Sequence, residues 1–310
     1  MRFSSPARPD SCESCTVSTN NRVQEFFSVR FRRLLSGAPD GTPPWLEIIA
    51  GGETGGLFLP TDGPWVVHRD FGTLVGGIRA LLVQALQPAT LAGVRNHSRY
   101  EKDPLGRLAG TIRWLTVTTF GSHAAVAGES SRVNRLHTRV VGEQPVSYRA
   151  SDPHLLLWVH AAFTDSFLAA HELYCKAPIP GGADGYVSTW ARSVEPLGLE
   201  SAPKSKAELN DIMHSFFAEL QVTEDTRSVV RFIRKPPLPI LVRPAYALLF
   251  QAAVVSLRDE HRELLGLRRP PRWLVIPATR FLLRAIRVLI GPESPIEDGA
   301  LRRLKRLGLI

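Results

Sequence analysis

Gly72–Leu86 reads GTLVGGIRALLVQAL. Apolar side chains run almost all the way round this stretch, the mark of a helix buried on every face rather than one lying on a surface. Gly76 and Gly77 inside it each cost about 1 kcal/mol of helix propensity relative to alanine. Small residues retained at that cost imply the close approach of another helix or of a flat ligand. Pro88 then ends or bends the helix.

Outward from this segment, helix signals dominate. Asp103-Pro104 and Asp152-Pro153 each set an N-cap acid before a proline at the first helical position, where a missing N–H costs nothing. Ser205 and Glu208 form a capping box. Period-two alternation is scarce, and only Trp45–Ile49 and Val146–Tyr148 read as short strands. Residues 234–239 (RKPPLP) read as a rigid extended connection. The fold class is therefore all-α, a single multi-helix domain over residues 61–290. Residues 1–60 form a loop-rich, Gly/Pro/Ser-rich N-terminal segment with one amphipathic helix at Arg22–Leu35, and residues 291–310 a basic C-terminal tail.

Composition narrows the class. With 44% hydrophobic residues, global disorder is excluded, and three cysteines cannot staple a chain of 310 residues. The first 21 residues carry no apolar run of the signal-peptide kind, and apolar stretches such as Ala245–Leu257 are too short to span a bilayer, so a cytoplasmic protein is expected. The net charge is +9, and from Arg258 onward 12 Lys/Arg face 6 Asp/Glu. Within Trp273–Ile290, Arg280, Arg284 and Arg287 make one positive stripe at helical spacing. The stripe suits peripheral contact with a membrane or acidic partner, and equally the solvated face of a packing helix. No nucleic-acid-binding module accompanies the charge, so no nucleic-acid partner is expected.

Familiar catalytic motifs are absent: no GxSxG, no Walker A, no GxGxxG between strand and helix, no HExxH. Cys12 and Cys15 form a CxxC in a Ser/Pro-rich tail, without the second ligand pair that zinc needs, and Cys175 reads as a packing cysteine. The histidines say more. Val133, Leu136, His137 and Val140 fall at i, i+3, i+4 and i+7, and His160 aligns with Leu156, Phe163 and Phe167. Each imidazole thus points into a core, where it is either a hydrogen-bonded core histidine or a metal or haem ligand. Arg107 precedes Thr111 by one helical turn on a helix heading toward Gly121. A buried arginine needs an anion, either an internal carboxylate such as Asp165 or one brought by a cofactor.

The run from Trp65 to Tyr174 resembles the MpaB-type oxygenase family, which includes latex clearing protein, the rubber oxygenase. The pieces that carry the likeness are VGGIRALLVQALQP, HSRYEKDPLGRLAGT, RLHTRVVG and YRASDPHLLLWVHAAFTDSFLAAHELY, with weaker likeness through PKSKAEL and RPAYALL to about residue 290. The resemblance implies an all-helical fold enclosing haem b, an iron cofactor, and an enzyme that uses dioxygen on a small apolar substrate, with an electron donor where the reaction needs one. It implies His137, in the His-x-x-Val-x-Gly segment His137–Gly142, as the iron ligand, Arg107 and Thr111 as the distal pair, and His160 as a second candidate for ligation or a pocket hydrogen bond. Two positions depart from the family: Gly110 stands where rubber-cleaving relatives carry a lysine, leaving space near the iron, and Gln87-Pro88 replaces a His-Pro. The competing reading is a haem-free helical binding protein that engages a lipid or acidic partner through its basic C-terminal face.

Overall fold

In the computed structural model, residues 14–98, 103–144, 146–291 and 294–310 are described, and fifteen α-helices, four short 3-10 helices and one two-stranded ladder account for their regular structure. The helices are α1 (Ser14–Ser36), α2 (Leu46–Ala50), α3 (Gly63–His68), α4 (Gly72–Gln84), α5 (Pro88–His97), α6 (Pro104–Phe120), α7 (His123–His137) and α8 (Pro153–Tyr174). They continue as α9 (Gly182–Trp190), α10 (Lys206–Ser215), α11 (Glu224–Arg234), α12 (Arg243–Ser256), α13 (Asp259–Leu264), α14 (Arg272–Ile290) and α15 (Pro295–Arg306). Between α7 and α8, β1 (Val141–Gly142) and β2 (Tyr148–Arg149) pair antiparallel, Val141 opposite Arg149 and Gly142 opposite Tyr148. The chain is all-α.

The core is built on α4 against α8. A Cβ on Gly76 would stand 2.5 Å from the Phe167 ring and 3.2 Å from its Cα, and one on Gly72 would stand 2.4 Å from Cys175 Sγ. Close approach of a helix, and not of a flat ligand, explains the small residue at Gly76, whereas a Cβ on Gly77 would meet open space. Cys175 packs as expected and donates to Asp70 Oδ1 at 3.2 Å. Trp158, Ala161, Ala162 and Ala170 of α8 and Val75, Leu82 and Val83 of α4 are buried in one cluster. Each fully buried large apolar side chain there contributes about 1.5–3 kcal/mol.

One charged cluster crosses this core. Arg79 of α4 donates to Asp165 Oδ2 at 2.6 Å, Ser166 Oγ at 2.8 Å and the Ser256 carbonyl at 3.0 Å, and Arg258 donates to Asp165 Oδ1 at 2.7 Å. Burial alone would raise the Asp165 carboxyl, but the two guanidinium charges and their hydrogen bonds hold it well below the usual carboxylate range. Asp165 is thereby engaged by Arg79 and Arg258, and the alternative that it pairs with Arg107 is not what the structure has. Removing one partner from a pair this deep would leave a buried charge uncompensated.

The two ends of the chain meet in a second core of Trp45, Ile49, Trp65, Val117, Phe120, Ala300 and Leu304. Trp45–Ile49, expected as a strand, instead enters the short helix α2, because its apolar residues are buried against α15 rather than beside another strand. The 291–310 stretch, expected as a basic tail, carries α15, whose buried Arg303 donates to the Ile49 carbonyl and, at 2.8 Å, to the Phe120 carbonyl. Trp65 Nε1 donates to Glu297 Oε1 at 3.0 Å and joins α3 to the same helix. The N-terminal amphipathic helix is longer than Arg22–Leu35, beginning at Ser14, and packs along α6 and α14. Cys12 and the Cys15 side chain lie outside the described residues.

Candidate functional site

The Asp103 side chain accepts the Gly106 N–H and starts α6, which brings Arg107, Thr111, Trp114 and Thr118 onto one face at spacings of three and four. Arg107 Nη1 donates to Thr111 Oγ1 at 3.2 Å, and the Thr111 hydroxyl in turn reaches the Arg107 carbonyl at 3.4 Å. Ser122 caps α7, which returns alongside α6. The two helices are locked by Glu129, buried between them, which accepts from Arg113 Nε at 2.9 Å and from Arg132 Nε at 3.0 Å. Burial would raise this carboxyl, but hydrogen bonds and charge from Arg132 and Arg113 more than offset that and hold its pKa below the ordinary value.

His137 is the last residue of α7 and is half-buried. Desolvation is the larger cause that pushes its pKa down, and the positive charge of Arg107 adds to it. The ring is therefore neutral at pH 7, and Arg107 and His137 act on one another across the gap between α6 and α7. The chain after His137 is fixed by a glycine: a Cβ on Gly142 would stand 2.5 Å from Tyr148 Oη. That close approach lets Tyr148 sit under the turn, where its hydroxyl accepts from Asn96 Nδ2 at 2.9 Å and lies 3.1 Å from His97 Nε2.

Arg107 combines two properties that rarely coincide. Its side chain is exposed, and desolvation still lowers its pKa. A Cβ on Gly110, one turn along, would meet nothing within 4 Å. Both helices carry buried polar atoms without partners among the described residues: His137 Nδ1 and Ser130 Oγ on one face of α7, Trp114 Nε1 and Thr118 Oγ1 on α6. Each such atom costs about 1–3 kcal/mol unless a ligand or ordered water satisfies it. His137 Nδ1 without a partner, an arginine that has no carboxylate among the described residues, and open space beside Gly110 are the features a polar-edged ligand could use.

His137 Nδ1 makes no hydrogen bond to a backbone carbonyl among the described residues. The structure brings Arg107, Thr111 and His137 together and leaves His160 apart. His160 is buried in α8, 3.5 Å from Thr164 Oγ1, with Nδ1 unpartnered, and burial pushes its pKa down to about 3. No hydrogen bond, ion pair or ring contact among the described residues joins it to the other three. Gln87, at the departure from His-Pro, serves as the N-cap of α5, its Oε1 accepting the Thr90 N–H at 2.8 Å.

Three buried histidines are not singled out by the sequence: His68, His261 and His171, whose Nε2 lies 2.8 Å from the Ala177 carbonyl. His68 is boxed by Phe167, Tyr186 and Trp190, with Nδ1 2.9 Å from Thr119 Oγ1 and Nε2 3.0 Å from Tyr186 Oη. The Thr119 hydroxyl already donates to the Leu115 carbonyl at 2.7 Å, so His68 Nδ1–H donates and Nε2 accepts from Tyr186. Both nitrogens are spent, which disqualifies His68 as a ligand. His261 is wholly buried beside Arg79, Asp165 and Arg258, and neither nitrogen has a partner. The only sequence signal for any of them was an imidazole one turn from an apolar residue, which is too common to select. No group of three or more His, Cys, Asp or Glu among the described residues could hold a bare metal ion, so an iron here needs a prosthetic group to supply its other ligands.

Residues 65–288 match the family described as ER-bound oxygenase mpaB/B'/rubber oxygenase, catalytic domain. No curated protein and no solved structure matches the chain.

Proposed function

The chain belongs to the catalytic-domain family of the MpaB and rubber oxygenases, and from that premise we propose a haem-b-dependent oxygenase that uses dioxygen on a small apolar molecule. The observation that carries the reading is a half-buried His137 whose Nδ1 has no partner among the described residues, acted on by the charge of an Arg107 that has no carboxylate among them and that bonds Thr111. These residues fit the group. A haem iron needs one neutral imidazole from the protein, and its anionic propionates need a cation that nothing else has claimed.

Haem b, when bound, supplies the redox-active iron on which dioxygen chemistry depends. The chain's own contributions follow from its side chains. His137 offers a lone pair at neutral pH because burial and the Arg107 charge oppose its protonation. Arg107 holds positive charge in a desolvated place, where it attracts an anionic edge or developing negative charge more strongly than it would in water. Thr111, fixed by Arg107, presents a hydroxyl one turn along. Gly110 leaves room beside them, and Trp114 with Phe163, ring centroids 6.4 Å apart, supplies an aromatic wall that disfavours water. His160 keeps second place as a ligand, neutral but enclosed in α8. A hydroxylation would draw on an external electron donor, whereas dioxygenolytic cleavage would not.

Purified protein expressed with haem supply is expected to show a Soret band and a b-type pyridine haemochrome, and His137→Ala to lose both while staying folded by circular dichroism. Folded, colourless wild-type protein would overturn the proposal in favour of the haem-free lipid-binding alternative. Retention of haem in His137→Ala with loss in His160→Ala would move the ligand to α8.

A further inference from the structure

Helix α14 is apolar on two faces, and only one of them is covered. Val275, Thr279 and Leu283 are buried against the body. The opposite face presents Trp273, Phe281 and Val288, with Trp273 79% and Phe281 74% exposed. A groove along it is lined by Phe281, Arg284, Ala285, Val288 and Leu289. Arg272 at the start of α14 donates to the Val255 carbonyl at the end of α12 at 3.5 Å, and the two helices pack together. They are thus antiparallel, and a rise of about 1.5 Å per residue puts the turn before α12 level with the end of α14. That turn carries Ile240 and Leu241, 75% and 93% exposed. At the same end Gln24 of α1 donates to the Val288 carbonyl at 3.0 Å, and the nearby Phe26 is also exposed. Exposed apolar side chains on three neighbouring elements exceed the scattered ones that any surface carries.

Charge says what covers this face. Residues 264–292 contain six arginines and no acidic residue. Arg280 is held to the Leu173 carbonyl and Arg287 to Asp70, while Arg284 projects beside Phe281 with no ion pair among the described residues. Aromatic and aliphatic tips flanked by arginines whose stems can lie on apolar surface match a boundary of acyl chains and anionic headgroups. No single helix among the described residues is long and apolar enough to cross a membrane, so the contact is peripheral. We propose that the outer face of α14, with the Ile240–Leu241 turn and Phe26, docks on the surface of a bilayer containing anionic phospholipid, with α14 in the plane of the interface. The inference is independent of the haem reading.

Full-length protein mixed with vesicles of phosphatidylcholine and phosphatidylglycerol is expected to co-sediment, and to be released by high salt or by omission of phosphatidylglycerol. Trp273 also reports the contact directly, because the other five indoles are buried or half-buried. Brominated lipid should quench the fluorescence of wild type and not of Trp273→Phe. Phe281→Asp and Leu241→Asp should each weaken vesicle binding by about ten-fold, or about 1.4 kcal/mol, with thermal melts unchanged because both side chains are exposed. Vesicle binding unaffected by these variants, or no binding at all, overturns the proposal. A dimer in sedimentation equilibrium that Phe281→Asp dissociates would assign the face to a second copy, and binding that appears only after deletion of residues 1–13 would assign it to that segment.

Discussion

Arg107 and Thr111 are joined by a 3.2 Å hydrogen bond one turn apart on α6, and the same guanidinium charge acts on His137 at the end of α7. One cation thus orients a hydroxyl and adds to the desolvation that lowers the imidazole's pKa. Arg107→Met should raise the His137 pKa toward its ordinary value, because the like-charge contribution disappears while the desolvation remains. Titration of the His137 ring resonance in haem-free protein checks this, and an unchanged pKa would separate the two residues. In the haem-loaded enzyme Thr111→Val should keep the haemochrome yet lower turnover by on the order of 10²-fold, the usual cost of removing a positioned donor, whereas Arg107→Met should also weaken haem retention because it removes the cation offered to the propionates.

Gly76 and Gly110 are both helical, but their surroundings predict opposite outcomes. Alanine at Gly110 enters open space and gains helix propensity, so stability should rise by up to about 1 kcal/mol. Alanine at Gly76 meets the backbone of Phe167 as well as its ring and should cost about 1–3 kcal/mol through displacement of α4 from α8. Urea unfolding of the two variants decides, and a loss at Gly110 would mean that the space beside α6 is filled by protein.

The contrast between Arg303 and the exposed C-terminal arginines makes a third case. Arg303 is buried and satisfies the carbonyls of Ile49 and Phe120, which lie on segments far from it in sequence. Arg303→Met leaves both carbonyls without that donor and should lower stability by about 2–4 kcal/mol, whereas Arg302→Met should change it by less than about 0.5 kcal/mol. Equal effects in denaturant titrations would mean that α15 is not docked.

The sequence made the local features readable and left the distant ones hidden. Asp103 and Asp152 cap their helices as read, because a cap is satisfied within three residues. Arg107 and Thr111 share a face because helix geometry alone sets that distance. Trp45–Ile49 reads as a strand yet is helical because five residues of partial alternation suit either element, and what decides is α15, some 250 residues away. The Arg79–Asp165 pair, 86 residues apart, has no sequence signal, so spacing alone does not separate Arg79 from Arg107 as the partner of Asp165. The meeting of His137 with Arg107 depends on how α7 folds back along α6. Spacing could not supply it, and only likeness to a family put the two residues in one site.

His68, His160 and His261 are held neutral by burial, their pKa values pushed from the ordinary 6.5 to about 3, 3 and 4. In each case the unfolded chain takes up a proton that the native state refuses. Their contribution is complete above pH 6.5 and falls as the pH drops toward the native values, by about 1.4 kcal/mol per pH unit for each group. Asp165 and Glu129 are depressed instead, so their contributions are lost only below their ordinary 3.8 and 4.5, which leaves the window from pH 6.5 to about 4.5 to the histidines. His261 is the informative one to remove. Its two ring nitrogens have no partners, so His261→Leu gives up packing but no hydrogen bond and should cost less than about 1.5 kcal/mol at pH 7. The same change should flatten the acid limb by one histidine's share, so that wild type and variant converge or cross near pH 5 in urea titrations of the haem-free protein. Parallel limbs would mean that His261 finds a partner, or a proton, in the native state.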